Sequence, residues 1–248
     1  VDFLCGVETE VVDLGGRVLL PGFVDAHTHL SMLGRFAVHA DLRGAHDRED
    51  CLDRLDEIDA TDVWILGFGF DETDWPTARP LDRDDLDRVS TSRPVAAFRE
   101  DMHVATVNSV ALERLRDALP TEDVRTEDGR ETGVLVEGAV DVVYAAVEPD
   151  REAMRSLIAA AQTAAVRRGV TAVHDMVRNS AAPGVYRDMA LSGDLDLRVR
   201  LNYWSDHLDA AIETGHRTNH GCRRVRIGAI KTYTDGTIGG RTARLSDP

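Results

Sequence analysis

From about residue 150 the chain alternates helical stretches with apolar, strand-like runs, and that rhythm admits few folds. Residues 151–169, REAMRSLIAAAQTAAVRRG, read as a long alanine-rich helix stopped by Gly169. VTAVHD follows as a strand, residues 182–192 as a helix and DLRVRLNYW as a strand. SDHLDAAIETG is a helix capped by Ser205 and stopped by Gly215, and RVRIGAIKTYTDG is a further strand. Strands alternating with crossover helices make a parallel sheet, with each connection right-handed.

An earlier segment joins this set. PGFVDAH opens at the Pro21–Gly22 break and runs as a buried strand. With GVTAVHD, LRVRLNYW and VRIGAIKTY it makes four strands of one kind. A (β/α)8 TIM-type barrel has eight and typically spans ~250 residues of its own. The expected fold class is therefore α/β, a partial barrel whose first four strands lie in residues 21–248. Residues 21–29, 170–175, 197–204 and 224–233 should be adjacent parallel strands. TEVVDLGGRVLL, residues 9–20, reads as two short strands around Gly15–Gly16, which makes 1–20 the remnant of a small β-domain. Residues of about 35–150 are an insertion between the first two barrel strands. They hold an acidic helix over 47–60, the strand DVWILGFGF, the polar loop DETDWPTARP and a helix over 81–90. The strand VAAF, a helix capped by Asn108 or Ser109, and an exposed loop over 121–133 complete the insertion.

Charge and cysteine usage narrow the partners. The net charge of −15 repels nucleic acid and anionic lipid. The positive charge is almost all arginine, with Lys231 the one lysine in the chain. Acidic excess with lysine nearly purged fits a salt-loving source, and a GC-rich genome that favours arginine fits equally well. Cys5, Cys51 and Cys222 are odd in number and far apart, which points to a reducing, cytoplasmic setting. No apolar run approaches the ~18 residues that span a bilayer. No signal peptide is visible, and a chain beginning at Val1 is expected to lack its true N-terminus.

The chemistry-bearing residues gather at strand ends. His27 and His29 stand two apart on a strand, where side chains alternate with period 2, so both rings face one way. That spacing suits two nitrogen ligands on one divalent ion. Alone, His-x-His is a weak pattern that also occurs on solvated strand ends. Lys231 closes the fourth strand. A lysine amine becomes reactive when neutral, whereas a guanidinium stays charged, and a chain that uses arginine elsewhere keeps lysine here. The competing role for Lys231 is an ion pair with Asp235. His103, Glu137, Asp71 and Trp75 sit in polar breaks of the insertion, and His174 ends the second barrel strand. Asp235 and Arg241 lie on the glycine-containing loop after the fourth. The remaining histidines, His39, His46, His207, His216 and His220, follow no pattern and read as surface.

PGFVDAHTHL resembles the first barrel strand of the amidohydrolase superfamily. GFGFDETDWP, REDMHVATVNSVAL, ETGVLVEGAV, RRGVTAVHDM and KTYTDGTIGGRTARLSDP resemble one branch of it, amidohydrolase family 3. These are the YtcJ-like proteins, among them N-substituted formamide deformylases. The resemblance covers nearly the whole chain. It implies that His27 and His29 bind a divalent metal, most simply zinc, as one or two ions. It implies that Lys231 is a catalytic position that can be carbamylated and bridge two metals. It further implies that Asp71, Trp75, His103, Glu137, His174, Asp235 and Arg241 shape the substrate pocket. Superfamily histidines from strands five and six and an aspartate from strand eight would lie beyond Pro248.

The function this implies is hydrolysis of a C–N bond in a small amide-like or formamide-like molecule by metal-activated water. The partner expectations are that small substrate, no nucleic acid, no membrane, and a second copy or a separate C-terminal half. The chain alone is expected to be inactive. The alternatives are a different bond on the same metal chemistry, a non-catalytic truncated fragment, and a regulatory or binding relative.

Overall fold

A computed structural model describes residues 5–58, 63–235 and 244. The chain begins with β1 (Phe23–Thr28), α1 (Leu30–Val38), β2 (Ala40–Asp41), α2 (Arg48–Asp56) and β3 (Ile65–Phe70). Next come α3 (Arg83–Val89), β4 (Val95–Arg99), β5 (Val104–Val107) and α4 (Ser109–Leu115). The hairpin β6 (Val124–Glu127) and β7 (Arg130–Val136) leads to α5 (Glu137–Ala146) and α6 (Arg151–Arg167). Last are β8 (Val170–Val177), α7 (Ala182–Ser192), β9 (Arg198–Trp204), α8 (Leu208–Glu213) and β10 (Val225–Lys231). Short polar side chains fix several helix starts. Asp47, Asp82, Asn108 and Asp150 each accept from first-turn N–H groups that have no partner within the helix.

Two sheets result. The first has the order β1-β8-β9-β10, and every neighbouring pair is parallel. These are the four strands expected from the sequence, in the expected order. One face of this sheet is covered by helices. Leu30, Val173, Val199, Leu201 and Val225 pack there against Met154 and Ile158 of α6 and Val185 and Tyr186 of α7. α1 lies so close on α6 that a Cβ at Gly34 would stand 2.1 Å from the Leu157 carbonyl oxygen, so only glycine fits.

The insertion folds as its own mixed sheet, ordered β2-β3-β4-β5-β7-β6. β2, β3 and β4 are parallel, and the remaining pairs are antiparallel. Every residue of β3 is buried, as a strand covered on both faces requires. Phe68 stacks on Phe98 at 4.8 Å between ring centroids.

Two expectations need correction. Residues 121–133 are mainly the β6–β7 hairpin, turned at Asp128–Gly129 with φ of 51° and 78°. Asp-Gly is the favoured pair for such a turn, so the signal was present in the charged stretch. Residues 9–20 form no strand. They turn at Gly15–Gly16, with the Arg17 N–H donating to Leu14 O at 3.1 Å, and Val18, Leu19 and Leu20 are exposed. A two-stranded ribbon with no sheet to bury against is not stable by itself. Among the described residues no helix is long and apolar enough to cross a membrane.

Candidate functional site

The C-terminal end of β1 is irregular. Asp25 pairs with Val173 and Thr28 with Asp175, three residues against two. A bulge of this kind shifts the phase of a strand and re-aims the side chains beyond it. The Asp25 carboxylate accepts the His27 N–H at 3.0 Å, satisfying the backbone where the ladder breaks. Past this point Thr28 and Leu30 are buried, His29 is half-buried and His27 is exposed. The two imidazole centroids are 5.8 Å apart, with ring planes at 66°.

The protonation of His29 follows from its partner. Its Nδ1 lies 3.0 Å from the Met176 carbonyl oxygen, which can only accept. The proton therefore sits on Nδ1, and Nε2 keeps a free lone pair. Burial holds this imidazole below its usual range, favouring the neutral ring. A neutral ring with one nitrogen tied to a carbonyl is the state a metal-ligating histidine needs. Next to Met176, Asp175 is 3% exposed and accepts from Leu30 N–H at 2.8 Å and from the Tyr186 hydroxyl at 2.6 Å. Burial pushes this carboxyl above the usual carboxylate range.

β10 has a matching irregularity. Ile227 pairs with Leu201 and Ile230 with Tyr203, again three residues against two. Were the strand regular over these seven residues, Lys231, six positions after Val225, would share its helix-covered face. With the bulge, Lys231 lies beside Trp204 on the opposite face. The buried Asn202 holds the bulge, its Oδ1 accepting the Ala229 N–H at 2.8 Å. A Cβ at Gly228 would stand 2.2 Å from that same oxygen. The Lys231 ammonium lies 4.5 Å from the centroid of the Tyr233 ring and makes no salt bridge among the described residues. Asp235, its alternative partner, instead takes the Thr234 hydroxyl at 3.2 Å and the Arg244 N–H at 2.8 Å.

His174 falls between Val173 and Asp175, which face the helices, and so lies on the side of His29 and Trp204; its neighbour on β9 is Arg200. Three residues at strand ends were not anticipated. The Trp204 ring is 6.4 Å from His29 and 5.1 Å from Tyr233, centroid to centroid. The Arg178 guanidinium stands 4.9 Å from the Trp204 centroid. The available signal was position alone, since each closes or follows an expected strand.

The insertion contributes a second group. His103 Nδ1 donates to Glu137 Oε2 at 3.3 Å, and the Glu137 N–H donates to His103 O at 3.2 Å. Their side chains are 65% and 70% exposed. Glu137 has φ of 43° and the adjoining Met102 φ of 66°, left-handed values that side-chain-bearing residues rarely adopt and that concentrate at functional sites. Asp71 accepts from Thr73 at 2.8 Å and from Arg99 at 3.3 Å, and Arg99 also holds Glu72. Tyr144 donates to Met102 Sδ at 3.3 Å. Burial pushes its hydroxyl up to about 12, against the fields of Arg35 and Arg178, so this part of the insertion stands near the strand end that carries Arg178.

Trp75, expected at the pocket, is instead a core residue: it is 6% exposed, its indole N–H donates to Ala45 O at 2.9 Å, and it packs on Phe70. Arg241 lies outside the described residues. His207 and His216, read as surface, both approach the Tyr203 ring, at 6.2 and 6.0 Å, in the wall of a small cavity. Among the described residues no three His, Cys, Asp or Glu side chains converge as a metal site.

The model of a family described as an amidohydrolase family matches residues 10–248. The protein YtcJ of Bacillus subtilis is 31% identical over 97% of this chain and 48% of its own length. An N-substituted formamide deformylase of Arthrobacter pascens is 25% identical over 84% of this chain and 41% of its own. The chain thus spans about half the length of these relatives. A crystal structure of an uncharacterized metal-dependent hydrolase from Pyrococcus horikoshii superposes with a TM-score of 0.76 at 30% identity, over 92% of this chain and 45% of that one.

Proposed function

Since the chain belongs to the amidohydrolase family, we propose that its four parallel strands form the first half of a (β/α)8 barrel, whose rim hydrolyses a C–N bond. The substrate is a small amide or formamide, the class named for the Arthrobacter relative. In barrels of this kind the chemistry sits at the C-terminal strand ends, where His27, His29 and Lys231 stand. His27 and His29 would hold a divalent ion, zinc in this reading, with Lys231 holding or bridging it. When bound, such an ion supplies Lewis acidity to the substrate carbonyl and to the attacking water. The reaction adds water across the C–N bond: the carbonyl carbon gains the hydroxyl, and the amine leaves with the proton. Asp71, His103 with Glu137, His174, Asp235 and Arg241 are assigned to binding and orienting the substrate.

The observation that carries this reading is the His29–Met176 hydrogen bond, which leaves Nε2 as a free, neutral donor beside His27. The test is elemental analysis of His27→Ala and His29→Ala in a full-length protein, with hydrolysis of N-formyl and N-acyl amines assayed alongside. Zinc should fall to background in both variants and hydrolysis should be lost. Zinc content equal to that of the unaltered protein would overturn the assignment.

A further inference from the structure

A cleft of about 750 Å³ opens in the insertion between the start of α3 and the β6–β7 hairpin. Pro80 and Arg83 line one wall, and Arg125, Thr132 and Val134 line the other. The hydrolytic reading leaves it unused. It also lies away from the His103–Glu137 pair, because β7 carries the chain roughly 17 Å from Thr132 to Glu137 at about 3.4 Å per residue.

Arg83 singles the cleft out. Its side chain is 15% exposed, and its stem is pressed on β7: a Cβ at Gly133 would stand 2.8 Å from the Arg83 Cβ. Gly133 has φ of 79°, so glycine suits both the backbone there and the close approach of α3. Arg83 Nε is closed off from solvent without a hydrogen bond. Nη1 and Nη2 make none either, and they stay open to the cleft. The carboxylate beside Arg83 is that of Asp84, 3.9 Å from Nε, and Arg130 takes both of its oxygens at 2.7 Å. Asp82 pairs with Arg79 and Arg48, and Asp85 with Arg48. Arg48, Arg79, Arg83 and Arg130 thus share Asp82, Asp84 and Asp85, which leaves one positive charge over. Arg125, on the facing wall, makes no ion pair among the described residues. In a chain of net charge −15, uncommitted arginines at one place are a distinct feature.

The capping box of Asp82 and Asp85 already serves the start of α3, so the donors on offer are side chains. Guanidinium groups only donate, and the Nη1–Nη2 fork matches two oxygens of one anionic group. Pro80 and Val134 supply apolar surface for the rest of a ligand. Glu127 and Asp128, also in the cleft wall, make no ion pair among the described residues and oppose a second negative charge. We propose that this cleft binds small organic monocarboxylates, with the carboxylate on Arg83 in the field of Arg125 and the apolar body along Pro80 and Val134. The site is separate from the hydrolytic centre, and nothing in it depends on the hydrolase reading.

The test titrates the ¹⁵N-labelled 248-residue chain with benzoate, benzamide and phenyl phosphate, reading the amide resonances of Thr126, Thr132 and Val134. Benzoate should move these peaks and bind at least about tenfold more tightly than benzamide, its neutral counterpart, the scale of one charge-assisted contact. Phenyl phosphate, with its second charge near Glu127 and Asp128, should bind more weakly than benzoate. Arg83→Gln should abolish the preference for acid over amide, at a urea midpoint close to that of the unaltered protein because Arg83 makes no hydrogen bond. Arg125→Gln, at an exposed side chain, should weaken benzoate by about threefold and decides the matter if Arg83→Gln does not fold. Equal affinity for benzoate and benzamide, tighter binding of phenyl phosphate, a preference that survives both substitutions, or peaks that benzoate leaves unmoved at tens of millimolar would each overturn the proposal. The titration involves neither His27 nor His29, so its failure leaves the zinc assignment to its own test.

Discussion

The phenolic hydroxyl of Tyr186 donates a 2.6 Å hydrogen bond to the Asp175 carboxylate, whose other oxygen takes the Leu30 N–H. One buried carboxylate thereby ties α7 to β8 and to the first turn after His29. The next residue, Met176, fixes the His29 ring. Tyr186→Phe removes one donor to this buried group and should cost about 1.5–3 kcal/mol, read as a lower urea midpoint at unchanged slope. Zinc affinity should fall with it, by roughly tenfold, because the support of a ligand ring is loosened. A variant as stable as the unaltered protein would remove Asp175 from this role.

Asn202 offers a second test. Asn202→Leu leaves the Ala229 N–H in the β10 bulge without its acceptor and should destabilise the fold by about 1–3 kcal/mol. It should also change how Lys231 is presented. Because Lys231 is the only lysine, amine-reactive labelling followed by mass spectrometry reports on it and the N-terminus alone. Zinc should protect Lys231 from acetic anhydride, and neither Asn202→Leu nor His27→Ala should show that protection. Equal labelling with and without zinc in the unaltered protein would place Lys231 outside the metal site.

Cys51 gives a prediction in pH. Burial pushes its thiol up from the usual 9.0 to about 12. In the folded chain a disulfide reagent at pH 8 should modify the exposed Cys5 and Cys222 and spare Cys51 until denaturant is added. Cys222 should react first, since the Val225 N–H holds its thiol below the usual range. The sign of the stability effect follows from the raised value. The contribution of protonated Cys51 is complete below pH 9 and is lost as pH rises from there towards 12. Cys51→Ala should therefore lose less stability than the unaltered protein between those limits.

His103→Gln and Glu137→Gln should each change stability by less than about 0.5 kcal/mol, because an ion pair between such exposed side chains contributes little. A large loss of hydrolysis in either variant would then report on substrate handling. A large loss of stability instead would make the pair structural.

The legible parts of the sequence were those written in local pattern. The four strands of the first sheet and their order followed from hydrophobic runs separated by capped helices, and the closeness of the His27 and His29 rings from their spacing in sequence. What escaped depended on pairing between distant residues. Period-2 alternation is counted along one strand, whereas the bulges in β1 and β10 exist only relative to the strands beside them. Trp75 shows the same limit: its loop is polar in sequence, and only the fold brings Ala45 O to its indole N–H. His103 and Glu137 were each picked singly, and their contact 34 residues apart in sequence required β5 and β7 to be neighbours.

The irregularity in β10 divides that strand into two independent halves. Val225 and Ile227 answer to the helices beneath them, and Lys231 answers to whatever occupies the opposite face. Substitutions that retune the core before Gly228 can accumulate without redirecting the lysine, so long as Asn202 keeps the junction between the halves. A slip that closed the bulge with every residue kept would be another matter. It would leave every side chain intact and turn the amine into the hydrocarbon layer, erasing the chemistry by a change in register alone.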